Sequence, residues 1–148
     1  MQFVTSKLPA VARIFLGLVF FVFGLNGFFH FLPQPPMTGP AADFMGALFA
    51  TKYMFPLIKA TEVLAGALLL TGRFVPLALT LLAPIVVNIA AFHAFLAPSG
   101  FGIVVPITLS GVYLAWAYRA SFRGVLQASA IPASTEQRSS TKGAPLAA

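Results

Sequence analysis

The sequence predicts an all-α integral membrane protein: a four-helix bundle running up-down-up-down, with both termini on the cytoplasmic side. Three observations carry that expectation. Of the 148 residues, 59% are hydrophobic and only 8% charged, against about 25% charged in a soluble domain. A chain so poor in polar residues cannot cover a core of its own, so lipid must cover it. Four apolar stretches, 8–31, 53–71, 74–97 and 101–118, are each long enough to cross a hydrocarbon layer of about 30 Å. The basic residues stand at the ends of those stretches and favour one side of the membrane.

The first stretch follows Lys7 and contains Arg13. Its apolar run is too long for a signal peptide, and no small-x-small cleavage site follows before the prolines, so it is expected to stay in the membrane. The connection over 33–51 is the one long loop. It opens with Pro33, Pro35, Pro36 and Pro40, which cannot continue a helix and favour extended backbone. Within it, 41–50 (AADFMGALFA) reads as a short interfacial helix with Phe44, Met45 and Leu48 on one side. It either lies flat on the membrane or closes over the bundle. Gly72-Arg73 joins the second stretch to the third, and Pro98-Ser99-Gly100 joins the third to the fourth; connections this short make successive helices antiparallel. Pro84 and Pro106 each remove a backbone hydrogen bond in mid-stretch, freeing the Thr80 and Gly102 carbonyls. Lys7, Arg13, Arg73, Arg119 and Arg123 fall on one side, while Asp43 and Lys52 cancel in the long loop. This gives an N-in, C-in topology. Residues 1–124 therefore form the membrane domain. Residues 125–148, rich in Ser, Thr, Ala and Pro, are expected to be a disordered cytoplasmic tail.

The net charge of +6 does not point to nucleic acid, because the basic residues are dispersed and form no patch. The chain has no cysteine, which excludes a disulfide framework, a CxxC redox pair and a thiolate-held iron–sulfur cluster. Any redox role would therefore run through a bound cofactor or a partner.

Ionisable and amide groups inside spans are costly, so each needs a partner or a purpose. The first span carries Arg13, Asn26 and His30, the second Lys59 and Glu62, the third Asn88 and His93, and the fourth Thr108, Ser110 and Tyr113. At about 1.5 Å per residue, His30 and His93 lie within roughly 6 Å of the outer helix ends, Lys59 roughly 9 Å down, and Glu62 and Asn88 roughly 14 Å down. Most of these groups thus occupy the outer half, with Arg13 near the inner end. Asn26 and His30 are four apart and Lys59 and Glu62 three apart, so each pair shares a helix face. A carboxylate at the depth of Glu62 cannot reach water. It is either protonated or paired, with Lys59 or, in a structural ion pair, with Arg13. The bland alternatives are snorkelling for Lys59 and Arg13, headgroup contact for His30, and interhelical hydrogen bonds for Asn26 and Asn88.

Two cofactor ideas can be weighed. A bis-His haem between His30 and His93 suits their depth and their diagonal spans. The phase of His93, about 140° from Asn88 at roughly 100° per residue, speaks against it. No metal site is expected, because Glu62 lies one to two turns deeper than either histidine. Some of the 16 Phe can line a slot for a flat apolar ligand such as a quinone.

The runs ARIFLGLVFFVFGLNGFFHF, KATEVLAGALLLTGRFVPLAL and VNIAAFHAFL carry an Arg-x3-Gly opening (Arg13, Gly17) and a Glu-x3-Gly-x5-Gly pattern (Glu62, Gly66, Gly72). From Ala12 to about Pro98 they resemble the DoxX family of small bacterial membrane proteins. The resemblance implies a multi-pass protein of the bacterial inner membrane, with partners among membrane or peripheral oxidoreductase subunits. It also carries Arg13, Glu62 and the Asn88/His93 region over as polar positions of interest. Neither motif is a catalytic signature.

Together these readings set an expectation. Glu62, Lys59, Asn26, His30, Asn88 and His93 should shape a site in the outer half of the bundle for a quinone-like or other small apolar ligand. The alternative is a structural or assembly subunit with no chemistry of its own. A transporter would need to oligomerise, since no inverted repeat is visible. Homo-oligomerisation and the identity of any cofactor stay open at this point.

Overall fold

The computed structural model describes residues 2–33 and 36–129. Helix α1 spans Gln2–Phe29, α2 Pro40–Ala50, α3 Met54–Thr71, α4 Val75–Phe95 and α5 Phe101–Ala117. Short 3₁₀ turns follow at Pro98–Gly100 and Arg119–Phe122. Among the described residues, four helices are long and apolar enough to cross a membrane. The chain is a multi-pass membrane protein with an all-helical bundle.

The first helix begins earlier than its apolar run, so its opening turns project beyond the span that Lys7 marks. It also runs through Pro9 without a break. Pro84 and Pro106 likewise sit inside continuous helices. Of the tail expected over 125–148, the part from residue 130 lies outside the described residues. Before it, Phe122 carries a further turn, accepting from the amides of Val125 and Leu126.

The spans pack in the cyclic order α1, α3, α4, α5, with α1–α4 and α3–α5 across the diagonals. The closest pairing is α1 with α3, and small residues make it so. A Cβ on Gly66 would stand 2.6 Å from the Phe21 nitrogen, and one on Gly24 would stand 2.9 Å from the Val63 nitrogen. These backbones can approach only because the glycines carry no side chain. The α3–α4 hairpin turns at Gly72, which takes a left-handed φ of 70° and donates to the Leu69 carbonyl at 3.1 Å, while Arg73 donates to Leu68 at 3.2 Å. This is the hydrogen-bond pattern of a Schellman-type cap.

The buried core lies in the inner half and centre of the bundle. Leu16 and Phe20 of α1 meet Ala65 and Leu69 of α3, Ala78 and Leu82 of α4, and Ile107 and Leu114 of α5. Toward the outer end, the helices are not closed by such a cluster. There α2 lies over them. Thr51 fixes the turn after it, its hydroxyl donating to the Leu48 carbonyl at 2.7 Å and accepting from the Met54 amide at 3.1 Å. Ring contacts hold α2 to two spans, Phe49 on Phe55 at 4.3 Å and Phe44 on Phe92 at 5.6 Å.

Candidate functional site

Under α2, between α3 and α4, lies a cavity of about 390 Å³, within the range of roughly 300–1,000 Å³ usual for small-molecule sites. Its walls are mostly apolar. Phe44 and Met45 come from α2, Phe55 and Ile58 from α3, and Ile85 and Phe92 from α4. Four polar side chains border it: Lys59, Glu62, Asn88 and His93.

Glu62 is the most deeply set of these, only 3% exposed. Its carboxylate accepts a hydrogen bond from the Lys59 ammonium at 2.8 Å, one turn toward the outer end of α3. A lone buried charge would be prohibitive, whereas a paired one at hydrogen-bonding distance is tolerable. The stem of Lys59 crosses α1 at Gly27, where a Cβ would stand 2.5 Å from the lysine Cδ. Any larger residue there would displace the lysine that pairs with Glu62. Phe55, four residues before Lys59, sets its ring 5.6 Å from the ammonium, where the ring face also favours the cation.

Asn88 reaches the cavity from α4 and is exposed, with no partner among the described residues. His93 borders the same cavity one turn further out. Its ring Nδ1 stands 2.9 Å from the Ile89 carbonyl of its own helix, so in the neutral form Nδ1 carries the proton. The ring packs against Gly100, occupying the space a Cβ would need. The turn between α4 and α5 thereby fixes the imidazole.

The remaining expected residues go elsewhere. Asn26 is buried, but its carboxamide accepts from the Leu32 amide at 2.6 Å and faces the Leu32 carbonyl at 3.4 Å. It ties the chain leaving α1 back onto the helix. His30 ends α1 with a left-handed φ of 52° and is exposed. Both residues border a second cavity, on the α1 side of α2. The two histidines therefore do not face a common space. Arg13 does not pair with Glu62. Its guanidinium donates to the carbonyls of Leu69 and, at 3.2 Å, Leu70, roughly 10 Å further along α3 at about 1.5 Å per residue. The reason is local: the end of α3 leaves carbonyls without helical partners, and Lys59 is the nearer cation for Glu62. Among the described residues no three His, Asp or Glu side chains converge as a metal site would require. The Thr108 hydroxyl is buried and has no hydrogen-bond partner among the described residues, but it does not border either cavity beneath α2.

Sequence reasoning expected phenylalanines to line such a slot but did not single out Phe55 and Phe92. Phe55 lies four residues from Lys59, and Phe92 four from Asn88, so each shares a helix face with a polar group already singled out. That spacing was the available signal.

No curated protein and no solved structure matches this chain. A family model does: the DoxX model matches residues 8–95, from the second turn of α1 to the end of α4, and takes in every polar residue bordering the cavity. With four membrane-crossing helices and a match over more than half of its length, the chain belongs to the DoxX family.

Proposed function

We propose that this protein is the membrane subunit of an oxidoreductase system in the bacterial inner membrane, holding a quinone-like or other small apolar ligand beneath α2. The observation that supports the reading is the Lys59–Glu62 pair, buried in the span and set on the wall of an otherwise apolar cavity. Intramembrane ionisable groups facing a cavity mark ligand or proton sites more often than packing. In this arrangement Glu62 is the hydrogen-bonding or proton-accepting group and Lys59 tunes its charge. Asn88 offers both a donor and an acceptor, and Phe55 and Phe92 flank a flat ring. With no cysteine in the chain, electrons reach or leave the bound ligand through a membrane or peripheral partner subunit or a further bound cofactor.

The test begins with protein purified in mild detergent from its native membrane, its visible spectrum, and mass spectrometry of extracted small molecules. A stoichiometric quinone that Glu62→Gln weakens by roughly tenfold or more, the scale of one lost charge-assisted hydrogen bond, supports the site. Unchanged binding in correctly folded Glu62→Gln protein sinks it.

A second reading, a structural or assembly subunit, has its own observation. Among the described residues Arg13 and Asn26 both bond backbone groups and nothing else. On that reading Glu62→Gln or Asn88→Ala lowers thermal stability in detergent, and any activity falls only in proportion.

A further inference from the structure

The cavity below α2 has a neighbour. On the other side of that helix, between α1, α2 and α3, lies a chamber of about 500 Å³. Met45, Phe55 and Lys59 belong to the walls of both, so these side chains are what part them. Of the three, Met45 is the movable one, an unbranched thioether with three rotatable bonds, whereas Lys59 is held on Glu62 and Phe55 on Phe49. Above them α2 is joined to the spans through residues with left-handed backbone, Gly39 (φ 62°) and Lys52 (φ 63°), and it rests on ring contacts.

The two chambers differ in chemistry. The α3–α4 chamber holds Glu62, Asn88 and His93. The α1 chamber sets Asn26, His30 and Lys59 among Phe23, Met37, Ala42 and Phe49. Its Asn26 is already bonded to Leu32, and His30 lies exposed at its edge. A chamber with a carboxylate and an amide unpartnered among the described residues, beside one whose buried amide, Asn26, is already bonded, suits a ligand with a hydrogen-bonding head and a hydrocarbon tail.

We propose that the two chambers are one site for a single long-tailed amphiphile. Its head sits at Glu62 and Asn88, and its tail passes beneath α2, past Met45 and Phe55, into the α1 chamber. This rests on the ligand reading above and adds that the ligand carries a tail the protein itself binds.

The test uses the full chain in nanodiscs and benzoquinones that share one head but bear no tail, a single isoprene unit, or a long polyisoprenoid tail. Affinities are compared as mole fractions in the bilayer, so that partition into lipid counts equally for all. In the wild type the long-tailed compound binds roughly tenfold tighter than the tail-less one, the gain coming from van der Waals packing of the tail against the chamber walls, since its removal from water is already counted in the partition. Gly46→Phe and, independently, Ala42→Phe fill the α1 chamber and bring that ratio close to one. Gly46 is suited to this because a Cβ built there meets nothing within 4 Å, so the new side chain has room at its root. If one variant fails to fold, the other carries the comparison. A wild-type ratio near one, or a ratio unchanged in the folded variants, overturns the tail site and leaves the head reading standing. If no benzoquinone binds the wild type, or Glu62→Gln binds as well as it does, the head reading falls and the tail site with it.

Discussion

Arg13 reaches the end of α3, where the last carbonyls lack helical partners and the helix carries partial negative charge. A single guanidinium nitrogen, Nη1, donates to both the Leu69 and Leu70 carbonyls, on a planar head that differs from a lysine's compact ammonium. Arg13→Gln is therefore expected to cost about 1–2 kcal/mol of stability, and Arg13→Lys less. Thermal unfolding in detergent measures both, and equal losses for the two would show that the guanidinium's shape, not its charge, is what matters. Asn26 makes a comparable local bond, closing the exit of α1 onto Leu32. Asn26→Leu strands the buried Leu32 amide and should cost about 1–3 kcal/mol. Neither effect resembles the one expected at Glu62. There the side chain borders a cavity and its loss should appear in ligand binding first. Residues that looked alike in the sequence, as polar groups within apolar runs, divide into backbone caps and cavity groups.

At the scale of elements, α1 and α3 form the rigid pair and α2 the loosely attached one. Gly66 lies against the Phe21 nitrogen and the Gly17 carbonyl, 2.6 and 3.0 Å from where a Cβ would stand. Gly66→Ala must therefore push two backbones apart and should destabilise by about 1–3 kcal/mol. Gly46, which borders the cavity on the α1 side of α2, has open space around its Cβ position. Gly46→Ala should be neutral or stabilise by about 0.5–1 kcal/mol through helix propensity. Melting the two variants side by side in the same detergent tests the assignment, and a harmless Gly66→Ala would refute the close α1–α3 contact. Gly17 and Gly66 were legible in the sequence as motif positions, but their packing partners were not. The 3.6-residue period gives the face of a helix and not the neighbour that face meets.

Over the whole molecule, the helices were legible because bilayer thickness sets span length and composition reveals it. The cluster of Lys59, Glu62, Asn88 and His93 was legible because depth follows from residue count. What depth cannot supply is position around the bundle axis. For that reason His30 and His93, equal in depth, border different cavities, and Arg13 meets Leu69, 56 residues away, rather than Glu62. The cavities also depend on where α2 lies, which a proline-opened loop leaves undetermined. The packing gradient, dense toward the α3–α4 turn and open under α2, gains its meaning from orientation. The basic residues place the Arg73 turn in the cytoplasm, and the cavity then belongs to the outer leaflet. Because the chain has no cysteine, single cysteines test this cleanly. Ser99→Cys in the α4–α5 turn should react with a membrane-impermeant maleimide in intact cells, and Thr71→Cys beside Arg73 only after permeabilisation. The reverse pattern would turn the bundle over, move the cavity to the cytoplasmic leaflet, and require that its ligand be delivered from the inner side.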